Sequence, residues 1–102
     1  MYHNKFIITL VILISMLLLC QSALAAQIKL AWDANAESDL AGYKVYYGTA
    51  SRTYHPGIDV GNVTTYALTG LIKGQKYYIA VTTYNRSHRE SPFSNEVTGI
   101  AK

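Results

Sequence analysis

The side chains that most often carry catalysis or hold metal ions are few in this sequence, and they are scattered along it. Its histidines are His3, His55 and His88, and no two of them lie at a spacing typical of metal ligands. The single cysteine, Cys20, has no second cysteine with which to share a disulfide or a zinc ion. Catalysis needs a convergent set of groups, such as a nucleophile beside a base, and the sequence contains none. We therefore expect no catalytic residue, no metal site and no cofactor.

Three carboxylates crowd one polar segment, at Asp33, Glu37 and Asp39. Clustered oxygen ligands suit hard cations such as Ca²⁺. The segment lacks the glycine-containing ligand pattern of a calcium loop, so a solvated turn is the favoured interpretation and Ca²⁺ the alternative. Residues 62–64 and 85–87 are glycosylation sequons, which matter only in a eukaryotic secretory pathway.

Tyrosine is the residue type that most suggests a contact surface, with 9 copies in 102 residues. Strand alternation places Tyr46 and Tyr78 away from the buried face, with Tyr84 near the rim and Lys44 beside them. Tyrosine anchors interfaces and provides a platform for peptides or sugar rings. These four residues are therefore a candidate partner surface, although the favoured interpretation is that cross-strand aromatic side chains only stabilise the sheet.

A basic loop is the second candidate surface. Arg86, His88 and Arg89 lie within residues 85–91. A solvated hairpin loop is the favoured interpretation, and a contact with an acidic partner or an anionic glycan is the alternative. The net charge of +3, from nine Lys and Arg against six Asp and Glu, is too small and too scattered to indicate nucleic acid.

Period-2 alternation is the pattern that must position these side chains. It is clearest at residues 76–84, where Tyr77, Ile79 and Val81 share one face and Tyr78, Ala80 and Thr82 the other. We predict strands at residues 27–33, 40–48, 58–61, 64–71, 76–84 and 95–100, with 76–84 central. Short strands separated by turn signals, without a helical period, predict one all-β sandwich or barrel. The predicted core consists of Trp32, Tyr43, Val45, Leu68, Leu71, Tyr77, Ile79 and Val81.

Four motifs in this order resemble the fibronectin type III domain of the bacterial secreted kind. They are residues 30–33 around Trp32, residues 40–47, residues 66–77, and residues 81–85 followed by 90–97. The resemblance covers about residues 27–100 and implies an immunoglobulin-like β-sandwich. It implies that Trp32 lies between the sheets as the main core aromatic, and that Tyr77 is a tyrosine corner bonded to backbone near Leu71. It further implies a non-enzymatic spacer or a module that binds proteins or carbohydrates.

One departure from the family concerns its first strand, which is missing or very short if the chain is cut after Ala25. The strand at residues 28–33 would then be an exposed edge, with Lys29 discouraging pairing. Loops that cover the start of the domain are the favoured interpretation. The alternative is an edge that accepts a strand from a partner or from a second copy, which would give a homo-oligomer.

Residues 1–25 have the pattern of a signal peptide. A weakly basic start is followed by an apolar run at residues 6–19 and by the small residues Ala23 and Ala25. We expect a mature domain of residues 26–102 that is secreted or periplasmic. Contact with a membrane is expected only under two alternatives: an uncleaved anchor, or lipidation of Cys20, whose preceding Leu19 does not fit the lipoprotein pattern.

Overall fold

The computed structural model describes residues 26–102, and the predicted signal peptide lies outside the described residues. The described chain forms strands that lie in two sheets. The strands are β1 (Ala26–Ala31), β2 (Leu40–Gly48), β3 (Ile58–Gly61), β4 (Thr65–Leu71), β5 (Lys76–Asn85) and β6 (Val97–Ile100). No helix long and apolar enough to cross a membrane occurs within residues 26–102.

The two sheets are antiparallel and unequal. β1 pairs with β4, and the larger sheet has the order β3-β2-β5-β6. The β2–β5 ladder extends from Leu40 opposite Asn85 to Gly48 opposite Tyr78. β5 also pairs with β6, so it is an inner strand, as the alternation predicted. The predicted fold class, an all-β immunoglobulin-like sandwich, is confirmed.

The core lies between the sheets and is built from the predicted inward face of each strand. Val45 and Ile79 are fully buried, and Leu68 and Leu71 meet them from the smaller sheet. Burying each such side chain contributes roughly 1.5–3 kcal/mol relative to leaving it exposed. Val81 packs against this cluster and is partly buried.

The aromatic part of the core differs from the expectation for Trp32. Tyr43 is fully buried, whereas Trp32 is only partly buried and packs against the core with its ring centroid 5.5 Å from that of Tyr43. The reason is that β1 ends at Ala31, so Trp32 lies beyond the strand at the margin of the sandwich. Its indole N–H is buried and has no hydrogen-bond partner among the described residues.

Tyr77 closes the turn between β4 and β5. Its buried ring directs the hydroxyl oxygen to the backbone N–H of Ile72, which donates a hydrogen bond of 3.0 Å directly after Leu71. Gly74 completes the turn at a φ of 83°, a conformation that glycine adopts without a steric penalty.

β1 is the edge of the smaller sheet. On the side away from β4, Gln27 exchanges two backbone hydrogen bonds of 3.2 Å with Lys102. The N–H of Trp32 donates to Thr64 next to β4, so alternation turns the backbone groups of Lys29 and Ala31 away from β4. No strand within residues 26–102 pairs with those groups.

Candidate functional site

The predicted partner surface lies on one face of the larger sheet, the face turned away from β1 and β4. Its four residues are Lys44, Tyr46, Tyr78 and Tyr84. The register places Tyr46 opposite Ala80 and Tyr84 opposite Gly42 on this face. It is not the open face that alternation suggested, because Ala80 is 1% exposed and Thr82 is 2% exposed. Alternation correctly assigned Ala80 and Thr82 to the outer face but did not reveal that loops cover them.

Two loops supply that cover. The β2–β3 loop brings Tyr54 over the sheet, and the segment between β5 and β6 brings Phe93. The ring of Phe93 lies 4.8 Å from that of Tyr46 at 86°, and 5.2 Å from that of Tyr54 at 67°. Such edge-to-face pairs contribute about 0.5–1.5 kcal/mol beyond their buried area. We call Tyr46, Tyr54 and Phe93 the outer aromatic cluster.

Glu90 accepts hydrogen bonds on one side of the outer aromatic cluster. Its Oε2 accepts hydrogen bonds from the hydroxyl of Tyr46 and, at 2.8 Å, from that of Thr82. Lys44 lies 3.5 Å from the other oxygen. The hydrogen bond from Tyr46 is the main cause that holds the pKa of Glu90 below its usual value. Burial first, and then this carboxylate, raise the pKa of Tyr46.

Glu96 accepts hydrogen bonds on the other side of the outer aromatic cluster. It accepts hydrogen bonds of 2.6 Å from the Ser51 hydroxyl, 2.7 Å from the Arg52 backbone N–H and 2.6 Å from the Tyr54 hydroxyl. These bonds, that of Ser51 first, hold the pKa of Glu96 below its usual value. Burial, followed by the bond to Glu96, raises the pKa of Tyr54 to about 12.

Two serines hold the segment that carries Phe93 against β5. The N–H of Thr83 donates to Oγ of Ser91 and the N–H of Val81 donates to Oγ of Ser94, both at 2.9 Å. The N–H groups of the two serines donate back to the carbonyls of Thr83 and Val81, also at 2.9 Å. These side chains replace a strand ladder, which is why β6 begins at Val97 and not at the predicted residue 95.

A cleft of about 470 Å³ opens beside the outer aromatic cluster, and its walls come from the two covering loops. Phe93 lines it with 54% of its surface exposed. Arg52 lines it from a backbone at φ 57°, in the left-handed region. The full lining consists of Arg52, Tyr54, Phe93, Ser94, Asn95 and Glu96.

The other tyrosines of the predicted surface have separate partners. The ring of Tyr84 occupies the space that a side chain at Gly42 would fill, and its hydroxyl donates a hydrogen bond of 2.7 Å to Asp59. That bond is the main cause of the raised pKa of Tyr84 and of the lowered pKa of Asp59. Lys44 lies 5.8 Å from the Tyr84 ring centroid.

Tyr78 pairs with the neighbouring Lys76. Its ring centroid lies 5.2 Å from Nζ of Lys76. The sequence thus identified Lys44, Tyr46, Tyr78 and Tyr84 as residues of one face but missed Tyr54, Phe93 and the carboxylates that join the covering loops. Pro92-Phe93, an aromatic side chain inside a polar loop, was the one signal that could have pointed to them.

The basic loop forms a tight turn that displays its charges. Oδ1 of Asn85 accepts hydrogen bonds from the N–H groups of Ser87 at 3.0 Å and Arg89 at 2.9 Å. His88 adopts a φ of 62°. The side chains of the predicted set, Arg86, His88 and Arg89, are exposed.

No group of three or more His, Cys, Asp or Glu side chains suited to a metal ion occurs in residues 26–102. Asp33, Glu37 and Asp39, the alternative Ca²⁺ ligands, are all exposed. A second cleft, of about 340 Å³, opens between the two sheets, where Leu30, Trp32 and Val97 form part of its wall.

All the strands of the sandwich lie within a range that matches a known protein family. The family model for the fibronectin type III domain matches residues 18–100. A Kelch domain-containing protein of Saccharolobus solfataricus is 41% identical to this chain over 54 residues. The alignment covers 53% of this chain and 7% of that protein, so the chain corresponds to a small part of the relative's length.

Proposed function

The chain belongs to the fibronectin type III family, and we propose that it is an exported, non-catalytic module that binds a protein or carbohydrate partner. Domains of this family generally serve as binding or scaffold modules. Within that general role, the outer aromatic cluster is the part of this domain that we assign to the partner.

The observation that carries this assignment is the exposure of Phe93 within a fixed frame. The residue is 54% exposed although its ring contacts both Tyr46 and Tyr54, and serines hold the backbone on either side of it. An exposed aromatic ring that is already ordered loses little conformational entropy when a partner covers it. Aromatic side chains of this kind are frequent anchors of interfaces.

Cross-linking from position 93 tests the assignment. We would replace Phe93 with the photoreactive benzoylphenylalanine, irradiate cells that express the protein and separate the adducts. Ile72, which is 60% exposed and lies outside the cluster, provides the matched control position. An adduct that forms from position 93 and not from position 72 supports the proposal. Equal adducts from both positions, or neither a protein nor a carbohydrate adduct from position 93, contradict it.

The exported location rests on the leader pattern of residues 1–25. N-terminal sequencing of the protein from expressing cells tests it. A start at Ala26 is the expected result. A start at Met1 contradicts cleavage, and a blocked Cys20 start would indicate a lipid-anchored form instead.

A second candidate function is assembly through the edge of β1, and the outward backbone groups of Lys29 and Ala31 favour it. The variant Ala31→Pro would remove one outward donor without removing a bond to β4. If the edge pairs copies of the chain, the wild-type domain will sediment as a concentration-dependent dimer and this variant as a monomer. A wild-type protein that is monomeric at high concentration contradicts assembly.

A further inference from the structure

We propose that the cleft beside Phe93 binds a pyranose ring of a neutral glycan. Phe93 would provide the stacking surface, and Arg52, Asn95 and Glu96 would bind the sugar hydroxyls. This assignment rests on the proposed binding function and specifies its ligand class and its site. The cleft volume of about 470 Å³ falls within the roughly 300–1,000 Å³ that small-molecule sites occupy.

The aromatic wall has the form that a sugar requires. One face of a pyranose carries C–H groups that pack on an aromatic ring, while its hydroxyls radiate at the perimeter. Phe93 offers an exposed ring, and the edge-to-face contacts with Tyr46 and Tyr54 fix its plane. A ring that is fixed before binding reduces the entropic cost of stacking.

The polar wall has complementary donors and acceptors. Both carboxylate oxygens of Glu96 are held in place by hydrogen bonds: Oε1 accepts two, from Arg52 and Tyr54, and Oε2 accepts one, from Ser51. Oε2 therefore keeps a lone pair with which to accept a sugar hydroxyl. The Arg52 guanidinium donates only, and the Asn95 amide can do both. Arg52 and Glu96 supply one positive and one negative charge, so the cleft has no net charge and favours a neutral glycan over an acidic one.

The backbone at Arg52 gives an independent indication that its side chain has a use. The turn from Ala50 to Thr53 places Arg52 at φ 57°, where glycine would be free of steric cost. Non-glycine residues are disfavoured in this region, and those that adopt it cluster at active sites and ligand clamps. Here the strained residue directs its N–H to Glu96 and contributes its side chain to the wall of the cleft.

A protein partner fits this cleft less well. The core of a protein interface is apolar and depleted of charge. Among the lining residues only Phe93 is an exposed large apolar side chain, and Arg52, Ser94, Asn95 and Glu96 surround it. This alternation of one ring with several hydrogen-bonding groups corresponds to the surface of a sugar.

A glycan array followed by calorimetry tests the proposal. The array would carry neutral hexasaccharides built from glucose, xylose, mannose and N-acetylglucosamine, together with acidic uronates. We expect binding to at least one neutral series, and we expect Phe93→Ala to weaken that binding by about tenfold or more. Ile72→Ala, the exposed apolar control, should leave it unchanged.

Arg52→Gly separates binding from folding. Glycine relieves the strained φ, so this variant should fold with a Tm no lower than the wild type while it loses about tenfold or more in glycan affinity. The proposal is overturned if no neutral glycan binds, or if both variants bind as well as the wild type. It is also overturned if only uronates bind and Arg86→Ser with Arg89→Ser removes that binding.

The cross-linking experiment and the glycan-binding experiment can give negative results independently of each other. Adducts from position 93 to a protein, with an empty glycan array, would remove the sugar assignment and retain the binding module. Absence of both adducts and glycan binding would remove the two proposals together.

Discussion

The Tyr54 hydroxyl donates a hydrogen bond of 2.6 Å to Oε1 of Glu96, and this contact joins segments that are 42 residues apart in the chain. It connects the β2–β3 loop to the residues that precede β6, across the outer face of the larger sheet. Glu90 makes the equivalent connection to Tyr46. The sandwich therefore has a small second core on its outer face, and ionised carboxylates hold it closed.

Acid should loosen this second core. The pKa values of Glu90 and Glu96 in the folded protein lie below their ordinary value of 4.5. Their stabilising contribution is therefore complete above the unfolded pKa and is lost as the pH falls through the folded pKa. We expect the free energy of unfolding, measured with urea, to decrease between about pH 6 and about pH 3. The double variant Glu90→Gln, Glu96→Gln should show a shallower decrease, and an equal slope would contradict this assignment.

A methyl group at Gly57 should displace Tyr46. A Cβ built at Gly57 would lie 2.5 Å from Cζ of Tyr46 and 2.9 Å from its hydroxyl oxygen. Gly57→Ala should destabilise the domain by roughly 1–3 kcal/mol, since the ring must move away from Glu90. The same substitution in a Tyr46→Ala background should cost almost nothing in a denaturation experiment. A penalty that persists without the Tyr46 ring would show that another contact is responsible.

Loss of either serine hydroxyl should weaken the attachment of residues 91–94 to β5. Ser91→Ala leaves the N–H of Thr83 without its acceptor, which should cost about 1–3 kcal/mol and accelerate hydrogen exchange of that amide. Ser94→Ala should accelerate exchange at Val81 in the same way but at a smaller cost, because water can reach that contact. Ser87→Ala, at an exposed turn position, is the control and should change neither amide. Unchanged protection at Thr83 in Ser91→Ala would mean that the Oγ contact is dispensable.

The corner hydroxyl of Tyr77 should make a measurable but modest contribution. Tyr77→Phe preserves the buried ring and removes the acceptor of the Ile72 N–H. We expect thermal unfolding to show a loss of about 0.5–1.5 kcal/mol, because this is the usual net value of one hydrogen bond. Tyr77→Ala should cost several times more, because it also leaves a cavity in the core. Equal losses in the two variants would place the whole effect in the hydroxyl.

The strands could be predicted from the sequence and the covering loops could not, for a physical reason. Alternation in β2 and β5 arises from local geometry, so it assigned Val45 and Ile79 to the buried face correctly. Whether the opposite face is covered depends on contacts such as that of Tyr54 with Glu96, which no local pattern encodes. Ala80 was therefore placed on the outer face without any indication that it is buried there.

The paired backbone bonds between Gln27 and Lys102 have a geometric consequence. They hold the beginning and the end of the described fold side by side at one corner. A polypeptide that enters and leaves a domain at one corner gains almost no length from it. If other segments were joined to the sandwich through these residues, the domain would project to one side of the polypeptide and would not lengthen it.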